Sequence, residues 1–257
     1  MQEHAGRSLD LNNPDIRRAL LGERLKDGTL LVAGDLAREF GVSIDTVRRD
    51  LIALESEGVV RRVRGGALPV RSPAPMLTQR RAAPVPPGLV AAALAAIGPA
   101  RTLLLDGGTT VLAVAEALPP APGLLVVTPS PWVAVAVIER GIDCLTLGGR
   151  ISGSGGIAVG GEVVDALAGL AAEVAVLGAC GLDADFGLSS DELLESSVKR
   201  AMAAAAERAL VVTGAGKLGQ RARHRTLAPD EIDVIVTDAG PERTTPFTTA
   251  GIEVVHG

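Results

Sequence analysis

Asp106-Gly107-Gly108-Thr109-Thr110 places a carboxylate, a glycine pair and two hydroxyls where a leucine run gives way to a helical pattern. The glycines allow a tight turn and a close approach of backbone to a ligand. The hydroxyls and the exposed N–H groups of an opening helix suit a phosphate. A plain strand-to-helix turn would use the same residues. Three later stretches add polar groups at strand exits. Thr128 and Ser130 in "VVTPS" offer hydrogen bonds to a polyol or phosphate. Asp183 in "LGACGLDADFGLS" suits sugar hydroxyls, and Lys217 in "VVTGAGKLG" suits a phosphate. "GAGKLG" satisfies GxGxxG in form only. It comes late, "QRARHR" follows it, and it lacks the spacing of a phosphate-binding P-loop. The glycine-rich stretch 147–161 reads as a mobile cover over such a site or as a plain loop.

A second chemistry belongs to the arginines between Val42 and Ala67. Arg48 and Arg49 sit on a helical pattern, and Arg61, Arg62 and Arg64 precede a Gly-Gly pair. A guanidinium fork meets guanine or phosphate with two hydrogen bonds. Ser43, Thr46 and Arg49 fall at the start of one helix, where a recognition helix touches bases or phosphates. Arg48 reaches the backbone or a base edge. Arg61, Arg62 and Arg64 would lie on a short hairpin, a wing, and reach phosphate or the minor groove.

The elements that must position these groups fall into two modules. Residues 14–68 read as three helices and a hairpin. The helices are Asp15 to Lys26, Ala33 to Phe40, and one capped by Ser43 and ended by Gly58. Ile44, Val47, Leu51 and Leu54 follow helical spacing and are expected to face the core. The Gly-Val-Ser turn between the last two helices has helix-turn-helix spacing. Residues 69–88 hold prolines at 69, 73, 75, 84, 86 and 87 and read as a linker. Arg71, Arg80 and Arg81 there extend the basic footprint or only solubilise the chain.

Residues 89–257 alternate short apolar strands with helices. Strands are expected at 101–106, 124–128, 142–147, 173–179, 209–213, 232–237 and, as an edge, 252–255. Helices are expected at Thr110 to Leu118, Pro131 to Glu139, Glu162 to Leu170 and Asp191 to Arg208. This pattern predicts an α/β fold with a mostly parallel sheet, whose ligands bind outside the carboxyl ends of the strands.

Composition narrows the function. Hydrophobic residues make up 47% of the 257 residues, enough for a sizeable core. Aromatics are 2% with no tyrosine, which argues against stacking on single-stranded nucleic acid. Residues 1–81 carry a net charge of +3 and the rest −8, a small basic module on an acidic one. Cys144 and Cys180 are far apart and read as buried structural thiols. His4, His224 and His256 are widely separated, so neither a metal site nor a cofactor is expected. No stretch reads as a leader or membrane span, and a cytoplasmic protein is expected.

Val42-Ser43, Thr46 to Leu51, Leu54-Glu55, Gly58, Arg62 and Gly65 to Ala67 resemble the DNA-binding domain of the DeoR family of bacterial transcriptional repressors. The family usually has histidine where this chain has Arg64. The resemblance continues through Asp106 to Thr110, Leu147 to Gly149, Gly160, Gly181 to Asp183, Gly187-Leu188, Lys199 to Met202 and Lys217 to Gly219. It implies an N-terminal winged helix-turn-helix and a C-terminal effector domain akin to ribose-5-phosphate isomerase. It implies a homo-oligomer that binds double-stranded operator DNA and responds to a phosphorylated sugar. Thr128-Pro129-Ser130 stands where Thr-Asn-Ser is common, which removes a backbone N–H donor and a side-chain amide. After Asp238 the chain is rich in Thr and Pro where relatives often have a helix. An enzyme is not expected. The alternatives are an isomerase-like enzyme fused to a DNA-binding domain, or a DNA-binding protein whose second domain only oligomerises.

Overall fold

The computed structural model describes residues 11–26, 31–57, 59–63, 65–69 and 84–257. Arg64, Gly58 and most of the expected linker, with Arg71, Arg80 and Arg81, lie outside them, as does the Arg61 side chain. The chain divides into two compact units, residues 1–72 and 73–257.

The first unit runs α1 (Pro14–Lys26), β1 (Leu31–Val32), α2 (Ala33–Phe40), α3 (Ile44–Ser56), β2 (Val60–Val63) and β3 (Gly66–Pro69). β3 pairs antiparallel with both β1 and β2. Leu21, Leu36, Phe40, Val47, Leu51, Leu54 and Val60 close one apolar core. Gly41, at φ 64°, turns α2 into α3 in the left-handed region that disfavours other residues. Ser43 then caps α3 by accepting the Thr46 N–H at 3.1 Å. Arg17 and Asp50 form a buried two-point ion pair, 2.7 Å at its shorter contact, that clasps α1 to α3. Ile44 departs from expectation, being 43% exposed. It is the first residue of the helix, and Val42, just before the cap, packs on the core instead, as in a hydrophobic staple.

The second unit continues with α4 (Pro87–Ile97), β4 (Thr102–Leu105), α5 (Thr109–Ala117), β5 (Leu125–Thr128), α6 (Pro131–Glu139), β6 (Asp143–Thr146), β7 (Arg150–Ile151) and β8 (Ala158–Val159). It ends with α7 (Gly161–Ala168), β9 (Ala172–Gly178), β10 (Gly181–Asp183), β11 (Gly187–Ser190), α8 (Leu193–Ala204), β12 (Ala206–Val212), β13 (His224–Leu227), β14 (Val234–Thr237), α9 (Pro241–Thr249) and β15 (Glu253–His256). Seven strands form one sheet in the order β15-β14-β12-β9-β4-β5-β6, and every pairing is parallel. Side chains alternate between its faces: Leu103 and Leu105 join α4, α5 and α6, while Leu104 joins α7, α8 and α9. Both faces of the central strands β4, β5, β9 and β14 are covered, which is why they read as apolar runs, whereas the edge strands β6 and β15 are partly exposed. β10, β11 and β13 form a small antiparallel sheet, and β7 and β8 a hairpin.

Several boundaries differ from the sequence reading. The expected helix to Arg208 stops at Ala204, because Ala206 to Arg208 already pair with β9. Helical propensity in the alanine run loses to the ladder. "PERTTPFTT" is helix α9 despite Pro246, held by Phe247 in the core. α4 begins at Pro87, inside the expected linker, because proline is tolerated in a first helical turn. Neither Cys144 nor Cys180 is in a disulfide, and both are only partly buried rather than core thiols. No helix among the described residues is long and apolar enough to cross a membrane.

Candidate functional site

Strand order locates the site. From β4 the chain steps outward through β5 to β6, then returns to β9 on the other side of β4 and proceeds outward again. The crevice between β4 and β9 is therefore the switch point where open parallel sheets take ligands. Asp106 leaves β4 there, and Gly178 ends β9.

Asp106 is fully buried. Its Oδ2 accepts the Gly178 N–H at 2.9 Å and the Lys199 ammonium at 2.7 Å. Lys199, from α8, also donates to the Gly178 carbonyl at 2.6 Å. Two of its three N–H groups are thus used. Burial alone pulls the Lys199 pKa down, but the Asp106 charge, with Cys180 and Glu195, reverses this and leaves it above the usual lysine value. Oδ1 of Asp106 has no hydrogen-bond partner among the described residues.

Gly107 and Gly108 then turn the chain into α5. A Cβ on Gly107 would lie 2.3 Å from Ile157 Cγ2 and 2.9 Å from the Gly155 carbonyl oxygen. Gly108 has φ 95°, outside the range most residues adopt. Thr109 and Thr110 open the helix, with the unpaired N–H groups and positive dipole end of its first turn. Asp106 to Val111, Gly155, Ile157, Gly178 to Cys180, Glu195 and Lys199 line a cavity of about 40 Å³. Thr128 and Ser130 leave the neighbouring strand and are buried. Ser130 donates its N–H to Thr128 Oγ1 at 3.1 Å, and its own hydroxyl has no partner among the described residues. The Pro129 carbonyl accepts the Ala158 N–H at 2.7 Å, which ties the β7–β8 hairpin beside Gly107. Gly155 and Ile157 of the glycine-rich stretch thus wall the cavity.

Asp183 and Lys217 do not line this cavity. The Leu182–Leu218 bridge brings their segments together elsewhere. Asp183 accepts from Arg221 at 2.8 Å and from the Asp185 and Phe186 amides. Burial raises its pKa, but Arg221 and the amides outweigh this and hold it below the usual carboxylate value. Lys217 is exposed at the end of a short 3-10 turn. Lys199 and Glu195 are the site residues the sequence reading did not assign. Four residues apart on a helix, they resemble a surface Glu–Lys pair, yet that face turns inward.

In the first unit, Ser43, Arg48 and Arg49 are exposed along the start of α3, with Thr46 half-buried. Ser43 and Thr46 hydroxyls lie 2.8 Å apart, so both also serve the helix cap. Arg48 pairs with Asp45 at 3.0 Å. Arg62 presents the wing: its N–H donates to Glu55 at 2.9 Å, and its guanidinium lies 3.7 Å from the same carboxylate.

Two family models match this chain. The DeoR-like helix-turn-helix domain matches residues 17–72, and the DeoR C terminal sensor domain matches residues 89–239. The transcriptional repressor AccR of Agrobacterium fabrum is 30% identical over 248 residues, covering 89% of this chain and 91% of that protein. The glycerol-3-phosphate regulon repressor of Escherichia coli strain K12 is 29% identical over 223 residues, covering 85% and 88%. Ribose-5-phosphate isomerase A from Neisseria gonorrhoeae aligns with 52% of this chain and 53% of its own at 14% identity, with a TM-score of 0.35. With a matched DNA-binding domain followed by a matched sensor domain, the chain belongs to the DeoR family of transcriptional regulators.

Proposed function

We propose that this protein is a DNA-binding repressor of carbohydrate-metabolism genes, acting as an oligomer, whose sensor domain takes a phosphorylated sugar at the β4–β9 switch point. The observation that carries the reading is the buried Asp106–Lys199 pair set against the Gly107-Gly108 turn at the N-terminus of α5. The helix end and the remaining Lys199 N–H favour an anionic group, and Thr109 and Thr110 add hydroxyls. The glycerol-3-phosphate regulon repressor, a relative named for a polyol phosphate, supports the same class of effector. The site suits binding rather than turnover. Asp106 has its charge committed to Lys199, which suits a fixed scaffold.

The first unit meets operator DNA with Ser43, Thr46, Arg48 and Arg49 of α3 in the major groove and Arg62 on the wing. The Arg61 and Arg64 side chains, which lie outside the described residues, are candidate DNA contacts on sequence alone. Arg49→Ala tests it against a duplex from the region upstream of the gene, followed by anisotropy. Affinity falls about 5- to 100-fold, the equivalent of losing one bidentate base contact. A phosphate contact instead lowers the salt slope by about one. Unchanged affinity and slope would remove Arg49 from the interface.

A further inference from the structure

The cavity at Asp106–Thr110, about 40 Å³, is too small for a sugar phosphate. Sites for small organic ligands enclose about 300–1,000 Å³. A second cleft of about 300 Å³ opens beside it, lined by Arg150, Ser152, Ser154 and Glu192. Glu195 lines both spaces, and the tip of the β7–β8 hairpin forms the wall between them.

One carboxylate oxygen holds that wall. Oε1 of Glu195 accepts the Ser154 hydroxyl at 2.7 Å, the Gly155 N–H at 2.7 Å and the Ser152 hydroxyl. Glu195 is 2% exposed, so it needs donors at all times. Two hydroxyls gathered on a buried carboxylate are also what a polyol would supply.

We propose that Glu195 reads the hydroxyls of the effector's sugar portion, and that Ser152, Ser154 and the Gly155 N–H fill its acceptor positions only until that sugar arrives. The inference rests on the phosphate reading of the cradle above. With phosphate at the α5 N-terminus, the carbon chain reaches the larger cleft only past Glu195. Sugar hydroxyls replace the serine hydroxyls one for one, so the buried carboxylate stays satisfied while the hairpin tip gives way. Lys199 offsets Glu195 at the phosphate end, whereas in the larger cleft Glu192 and Glu195 outnumber Arg150, which disfavours a second anionic group. Asp106 Oδ1, buried and without a partner among the described residues, offers a further acceptor in the small cavity. The effector class is therefore a monophosphate with hydroxyls close to the phosphate end, and not a phosphorylated acid.

The test is calorimetry on the full chain with inorganic phosphate, n-propyl phosphate, 3-phosphoglycerate, glycerol 3-phosphate, ribose 5-phosphate and glucose 6-phosphate. In the wild type at least one of the last three binds tenfold or more tightly than n-propyl phosphate and than 3-phosphoglycerate. Glu195→Gln lowers the preference over n-propyl phosphate about tenfold, because a neutral amide replaces charge-assisted acceptance. Ser152→Ala with Ser154→Ala removes the competing hydroxyls and tightens the preferred polyol phosphate. A carboxylate that only props up the hairpin predicts the opposite for the serine variant, and an unchanged preference in Glu195→Gln. Either result overturns the proposal, as does a wild type that binds n-propyl phosphate as tightly as every polyol phosphate. Failure of the wild type to bind any phosphate, inorganic phosphate included, sinks the cradle reading itself, and the Glu195 proposal falls with it.

Discussion

Removing the Lys199 ammonium would leave the Asp106 carboxylate buried with one N–H donor, from Gly178. Breaking a buried pair on one side costs about 3–5 kcal/mol. Urea unfolding of Lys199→Met should show a loss of that order in the sensor unit. The pH dependence has a definite sign. Lys199 is raised in the folded state, so its contribution is complete below the unfolded lysine value of about 10.4 and is lost only as pH climbs through the higher folded value. The gap between wild type and variant should stay constant from about pH 6 to 9 and narrow only above about 10.4. A gap that closes near neutrality would contradict this pairing. Gly107 makes a second residue-scale case. Gly107→Ala would drive a methyl to 2.3 Å from Ile157 and 2.9 Å from the backbone at Gly155. Overpacking of this kind costs about 1–3 kcal/mol. Thermal unfolding should register it, together with weakened phosphate binding as the hairpin is pushed off the turn.

At the scale of elements, the wing depends on α3. Glu55 accepts the Arg62 N–H and faces its guanidinium. Removing a negative charge near DNA would ordinarily strengthen binding. Glu55→Ala is expected to weaken operator binding instead, because the wing loses its anchor, while stability changes by less than about 1 kcal/mol at so exposed a site. Tighter binding by anisotropy would show that the anchor does not matter. Much of this architecture was legible. α2 and α6 begin and end where the apolar spacing, Gly41 and Pro131 put them, and the sheet strands stand out because burial on both faces leaves little but Val, Leu, Ile and Ala. The antiparallel β10-β11-β13 sheet was not legible, since "GLD" and "GLSS" are short and carry no apolar run. Asp106 to Thr110 announced themselves by type and spacing. Lys199 and Glu195 did not, because helical spacing tells which residues share a face and not whether that face is buried. By residue type Asp183 and Lys217 fall with Asp106 at strand exits, whereas their segments meet each other at the Leu182–Leu218 bridge.

For the whole molecule, the basic first module suits a polyanion, while the acidic second one is the sensor domain, for which we propose a ligand at the β4–β9 crevice. Coupling between them is a free energy shared by both sites. An effector that lowers operator affinity 100-fold requires about 2.7 kcal/mol, and the operator must lower effector affinity by the same factor. The most direct test measures anisotropy of a labelled upstream duplex against a scrambled one at about 150 mM salt, where nonspecific contacts are screened. Wild type and Lys199→Met, each folded at the assay temperature, are titrated with the sugar-phosphate panel. The expected result is specific binding by both proteins, with release of the wild type alone by one polyol phosphate. Equal binding to the scrambled duplex, or release of Lys199→Met at the same concentration as wild type, would contradict a repressor controlled from the Asp106–Lys199 site.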